Sequence, residues 1–181
     1  NIVIDAYENV WGWDKGADPE SYDIPEIYGA IRGTVGGSMT INAHGSHVQN
    51  IFGASDSVVS GAVTINATDV DLRNSLYGDE NYDEGYVFGL WEKGIPATAE
   101  GPVTINIDGG DVGLVMATDQ TAAPAGSSIN VTGKPNIRTG IRGTQASRYS
   151  ADHPVANISA CEATIPFIKM MSQVNVADGS N

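Results

Sequence analysis

The chain has 181 residues, among them 22 glycines and one cysteine, with 22 acidic against 9 basic side chains and a formal net charge of −13. The length fits a single domain over residues 1–181, and a lone cysteine excludes an internal disulfide framework. The acidity argues against nucleic acid or an anionic membrane surface as partner and suits an extracellular surface that stays soluble or binds cations.

The first element in chain order is "NIVIDAY", a strand with Ile2 and Ile4 alternating along it. An insertion over about 7–29 follows, "YENVWGWDKGADPESYDIPEIYG", which mixes acids with tyrosines and with Trp11 and Trp13. The chain then writes one short phrase several times: "GSMTINAHG", "GAVTINATD", "GPVTINIDG" and, loosely, "GSSINVTG". The central residues Ile41, Ile65, Ile105 and Ile129 stand 24, 40 and 24 residues apart, a constant unit with one insertion of 16. A fixed period in this range marks a solenoid or array.

The flanks repeat too. Gly45 and Gly109 follow the isoleucine at four, Val48 and Val112 at seven, and Ile51 and Val115 at ten. The other two copies fit the same plan with one or two extra residues before Leu76-Tyr77-Gly78 and Ile141-Arg142-Gly143. Within each copy the apolar residues alternate, as in Val63-Ile65-Ala67, which is the strand period. No stretch carries a helical stripe, and the glycines would make helices costly.

A unit this small cannot bury its own apolar face, so it must stack on its neighbours. The expected fold is an all-β, single-domain parallel β-helix (β-solenoid), right-handed by the crossover rule. Thr40, Thr64, Thr104 and Ser128 then form one outward column, and Asn42, Asn66, Asn106 and Asn130 the next. Rungs about 4.8 Å apart let stacked amides bond to one another. The repeated Thr-Ile-Asn is read first as a register device, with a flat binding face as the alternative.

The second insertion, over about 77–100, contains "YGDENYDEGYVFGLWEKG". Asp79, Glu80, Asp83 and Glu84 are hard oxygen ligands suited to Ca²⁺, although their spacing matches no known calcium loop and solvated acids are the competing reading. Trp11, Trp13, Tyr82 and Trp91 suit stacking on glycans or on a neighbouring subunit, or simply cover local apolar surface. Long solenoid loops often carry binding function.

"GPVTINIDGGDVGLVMA" and "GSSINVTGKPNIRTGIRG" resemble the Gly-x-Val-Thr-Ile-Asn-x-x-Gly-Gly repeats of microbial surface β-solenoids, the adhesin-like proteins. The resemblance covers about residues 36–145 and implies a cell-surface, structural or adhesive role without catalytic residues to transfer.

Enzymatic signals are sparse. Polysaccharide-active β-helices exist, but no paired carboxylates or base-and-cation column accompanies Arg138 and Arg142. His44, His47 and His153 lack metal-ligand company, and Cys161 reads as a small buried apolar residue. Asn66-Ala-Thr68, Asn130-Val-Thr132 and Asn157-Ile-Ser159 are formal glycosylation sequons, two of them generated by the repeat itself. No transmembrane run or signal peptide is visible, so a mature or excised form of a secreted-type domain is expected.

The last segment, about 150–181, holds the apolar run "ATIPFIKMMSQVNVA". Phe167 and Ile168 either close the final rung or join a neighbouring molecule. In the second case Val174 and Val176 add a strand to a partner's first rung at Ile2 and Ile4. The leading expectation is a self-associating structural surface protein. The alternatives are a carbohydrate- or calcium-binding adhesin module and a polysaccharide-active enzyme.

Overall fold

The computed structural model describes residues 1–7, 26–72, 85–144, 153–159 and 162–177. Among them there is no helix, and every strand pair is parallel. The first sheet has seven strands, ordered along the sheet as along the chain. They are β1 (Ile2–Tyr7), β4 (Met39–His44), β8 (Val63–Thr68), β12 (Val103–Asp108), β14 (Ser128–Thr132), β16 (Val155–Ile158) and β18 (Gln173–Val176). Between successive visits to this sheet the chain crosses a second one. That sheet holds β2 (Ile27–Ile31), β6 (Ile51–Ser55), β10 (Tyr86–Trp91), β13 (Asp111–Thr118), β15 (Asn136–Thr144) and β17 (Ile168–Lys169), flanked by β5 (His47–Val48) and β9 (Asp71–Leu72). A third, short sheet joins β3 (Thr34–Val35), β7 (Val58–Val59) and β11 (Thr98–Ala99).

Alternation places the core. In β4, β8 and β12 the first, third and fifth residues are buried and those between are half-buried. Ile41, Ile65, Ile105 and Ile129 sit side by side in register, each fully buried. From the second sheet Ile51, Val87, Val115 and Ile141 form the facing file. Gly53 and Gly89 of the second sheet lie close against the first. A Cβ on Gly53 or Gly89 would overlap the side chains of Val63 and Val103, so the β-branched residues of one sheet fill the space a side chain of the other would need.

Two expectations need correction. The triplet beside Ile51-Phe52-Gly53 is Val87-Phe88-Gly89, whereas Leu76-Tyr77-Gly78 lies outside the described residues. Both triplets read apolar-aromatic-glycine, and periodicity alone does not rank them. Consequently Tyr86–Trp91 and Thr98–Ala99, assigned to the second insertion, are paired strands. Ile27–Gly29, assigned to the first, likewise belongs to β2. The segment after residue 150 continues both large sheets: Asn157 pairs with Asn130, and Ile168 with Ile141.

Candidate functional site

The outward residues of the first sheet form a continuous hydrogen-bonded file. Asn42 Nδ2 donates to Asp5 Oδ1 at 2.7 Å, Asn66 to Asn42 at 2.7 Å and Asn106 to Asn66 at 2.6 Å. Asn130 donates to Asn106 at 2.7 Å, Asn157 to Asn130 at 2.7 Å and Asn175 to Asn157 at 2.8 Å. Stacked amides a strand spacing apart bond with little adjustment of the side chain. Besides the four repeat asparagines the file includes Asp5, Asn157 and Asn175, so it touches all seven strands. The signal was present in the sequence: Ile4-Asp5-Ala6 imitates Ile41-Asn42-Ala43, and Asn157-Ile158 and Asn175-Val176 imitate Asn130-Val131.

The two ends of that sheet are β1 and β18. Ile2 is 36% exposed, Val174 44% and Val176 62%, although they occupy the same files as the fully buried Met39, Ile129 and Val131. Ile4 is half-buried and packs on the core, as does Ile168. At the β1 end a hollow of about 380 Å³ is lined by Ile4, Ala6, Ile27, Tyr28 and Val48, with Asp5 and Glu26 at its polar side. Burial, and then the hydrogen bond from Tyr28 to Glu26 Oε2 (2.6 Å), raise the Tyr28 phenol above its ordinary value.

A second feature lies on the outer face of the second sheet. Phe52 stacks with both Tyr28 (centroids 4.9 Å) and Trp91 (4.4 Å), and meets Phe88 edge-on at 5.8 Å. Tyr86 stacks on Phe88 at 5.1 Å. Beside this layer runs a groove of about 380 Å³ with Tyr86, Phe88, Trp91, Leu114 and Phe167 as apolar lining. Asp119, Thr139 and Arg142 are its polar groups. Among the described residues Arg32, Lys134 and Arg138 are paired with carboxylates, while the other three cations stand over rings of this cluster. Lys93 lies 5.7 Å from the Trp91 centroid, and Arg142 and Lys169 lie 5.8 and 4.5 Å from that of Phe167. Burial pushes the Asp119 carboxyl above the ordinary carboxylate value and the charge of Glu92 adds to that, with Arg142 and a Glu92 backbone N–H opposing. Sequence reasoning missed this groove because its residues come from separate passes of the chain.

Asp56 directly follows β6. With φ at 49°, its Oδ1 accepts from the backbone N–H groups of Lys93, Gly94 and Ile95 at 2.7, 3.1 and 3.3 Å. The Lys93 N–H foremost, then those of Ile95 and Gly94, hold this carboxyl below its ordinary value against the cost of burial, and Arg32 contributes least.

Trp11, Trp13, Tyr82, Asp79, Glu80, Asp83, Glu84 and Cys161 lie outside the described residues. Of the aromatic residues singled out from sequence, the structure describes Trp91, on β10 beside the groove. Phe167 also lines the groove. His47 Nδ1 contacts Asp71 at 3.2 Å, and Arg138 pairs with Asp111 and donates to the Leu72 carbonyl at 2.7 Å. Among the described residues no group of three or more His, Cys, Asp or Glu is placed to hold a metal ion, and no helix is long and apolar enough to cross a membrane. No protein-family model, curated protein or solved structure matches the chain.

Proposed function

We propose that this chain is a right-handed parallel β-helix serving as a secreted structural component of a microbial cell surface, with copies associating through the end strands of the first sheet. The right hand follows from the preference of parallel crossovers. One observation carries the association: apolar residues at both ends of a single parallel sheet, Ile2 at one and Val174 and Val176 at the other, are exposed along core files. A strand edge offers backbone N–H and C=O groups to another chain, and strand addition uses alternate side chains for specificity. β1 of one copy against β18 of the next makes a contact that does not close on itself, so it extends into a filament or layer. Sedimentation velocity across a concentration series tests it. Concentration-dependent growth that is lost on Val174→Lys with Val176→Lys supports the reading, and a strictly monomeric wild-type chain sinks it.

The groove favours a second reading, that of a surface module recognising saccharides. An apolar ring face suits Phe88, Leu114 and Trp91, and ring hydroxyls suit Asp119, Thr139 and Arg142. A few convergent polar groups in an aromatic-lined hollow are what small-ligand sites have in common. Saturation-transfer NMR with neutral and carboxylated oligosaccharides tests it. Loss of transfer in Trp91→Ala with the fold intact is expected, and absence of transfer from either class in wild type refutes it.

A further inference from the structure

The amide file of the first sheet is not symmetric end to end. Each of its six asparagines carries a donor and an acceptor, whereas the carboxylate of Asp5 only accepts. Asn42 therefore turns its NH₂ toward Asp5, which leaves Asn42 Oδ1 facing the next strand, where Asn66 donates to it. The same orientation is forced at every later rung, as far as Asn175 donating back to Asn157. A stack of amides alone reads equally well in either direction. One carboxylate at its end breaks the tie, and it sits where the aligned N–H groups point, the favourable place for negative charge among parallel dipoles.

We propose that Asp5 sets the direction of the whole ladder and thereby leaves an acceptor at both ends of the sheet, so that it acts as a brake on head-to-tail contact between copies. This rests on the association reading given above. Continuing the register by which β18 follows β16, and by which β1 precedes β4, Val174 falls beside Ile4 of a second copy and Val176 beside its Ala6. Both matches are apolar. Asn175, however, falls beside Asp5. Its Nδ2 is used toward Asn157, and its Oδ1, which accepts from Gln173 at 2.5 Å, meets a carboxylate with no proton to donate. Among the described residues the second sheet has six strands along its path against seven in the first, so among them the first sheet carries the junction and no matching contact opposite dilutes the mismatch. The substitution Asp5→Asn repairs it, because an amide at that position accepts from Asn42 and donates to Asn175.

The test compares wild type, Asp5→Asn and Glu26→Gln by sedimentation velocity over a concentration series. Glu26 lies at the same end but accepts from Tyr28 and Asn50 rather than from the ladder, so its amide controls for loss of one charge. Asp5→Asn is expected to lower the dissociation constant at least tenfold, about 1.4 kcal/mol, and Glu26→Gln to leave it within about twofold. Association of wild type that Asp5→Asn fails to tighten, or that Glu26→Gln tightens equally, overturns the brake and leaves the association reading standing. If wild type stays strictly monomeric, the association reading and the brake that rests on it fall together. Ladder direction is then decided by side-chain amide NMR. Wild type is expected to show one set of Asn42 and Asn66 NH₂ signals, and Asp5→Ala two, from amides freed to stack either way. A single unshifted set in Asp5→Ala overturns the directional role of Asp5.

Discussion

Asn106→Ala removes the middle of the ladder. The side chain donates to Asn66 at 2.6 Å and accepts from Asn130 at 2.7 Å. Each hydrogen bond contributes about 0.5–1.5 kcal/mol net, so losing both costs about 1–3 kcal/mol. For a chain of this length 1 kcal/mol moves the melting temperature by about 2–4 °C, and a fall of roughly 4–8 °C is expected at the middle of that range. Asn175→Ala loses its bond to Asn157 and its contact with Gln173 at an exposed end, where water replaces the partners, and is expected to cost about 1 kcal/mol or less. Asn106→Asp keeps the acceptor facing Asn130 but sets oxygen against Asn66 Oδ1, and at neutral pH should be at least as damaging as alanine. Differential scanning calorimetry of the three variants reads the series. Equal losses at positions 106 and 175, or an Asn106→Ala protein as stable as wild type, would falsify the claim that the interior ladder bonds stabilise the sheet more than those at its exposed end.

Ile105 is fully buried and Thr104 half-buried on the opposite face, so Ile105→Asp should cost several kcal/mol by burying an unpaired charge while Thr104→Asp stays much milder; equal costs in denaturant titration refute the alternation. Because the folded state depresses the Asp56 carboxyl, its stabilising contribution is complete above the unfolded carboxylate value of about 3.9 and is lost as pH falls through the lower folded value. Asp56→Asn should therefore be less stable than wild type at neutral pH and show a shallower acid limb. Asp119 has the opposite sign: its folded carboxyl is raised, so its contribution is complete in acid and lost as pH rises through the folded value. Asp119→Asn should melt higher than wild type at neutral pH with no gain in acid. If Asp79, Asp83 and Glu84 hold Ca²⁺, millimolar calcium raises the melting temperature and the triple amide variant abolishes the rise; indifference to calcium and chelator leaves them solvated.

How far the sequence could be read depended on whether a feature repeats at constant spacing. The Thr-Ile-Asn phrase does, and it placed Ile41, Ile65, Ile105 and Ile129 in one file. The second sheet keeps one order of pairing, Ile51 to Val87 to Val115 to Ile141, with a register shift between Val112 and Leu114, and its side chains vary. Phe52 and Phe88 give way in register to Met116, Arg142 and Lys169, because the outer face of that sheet is not held by one chemistry. Variation hid the strand Tyr86–Trp91 behind an apparent insertion. It also hid the groove, whose aromatic and cationic walls share no spacing along the chain. Asp5 was missed for a different reason: one changed atom in an otherwise faithful copy is below the resolution of pattern matching, though it decides a hydrogen-bond direction.

The ladder also bears on how the molecule ages. Deamidation begins when the backbone nitrogen of the following residue attacks the side-chain carbonyl, which requires the asparagine to swing out of its stack. Asn66, Asn106 and Asn130 are each held on both sides, so spontaneous hydrolysis there should be slow compared with an unstacked asparagine. Enzymatic glycan transfer to Asn66 or Asn130 needs the same excursion. When damage does occur, its product is an aspartate with no donor, a copy of Asp5 placed mid-sheet, and one lost amide divides the stack into two shorter ones. Chemical lifetime and mechanical continuity are therefore properties of the same row of side chains.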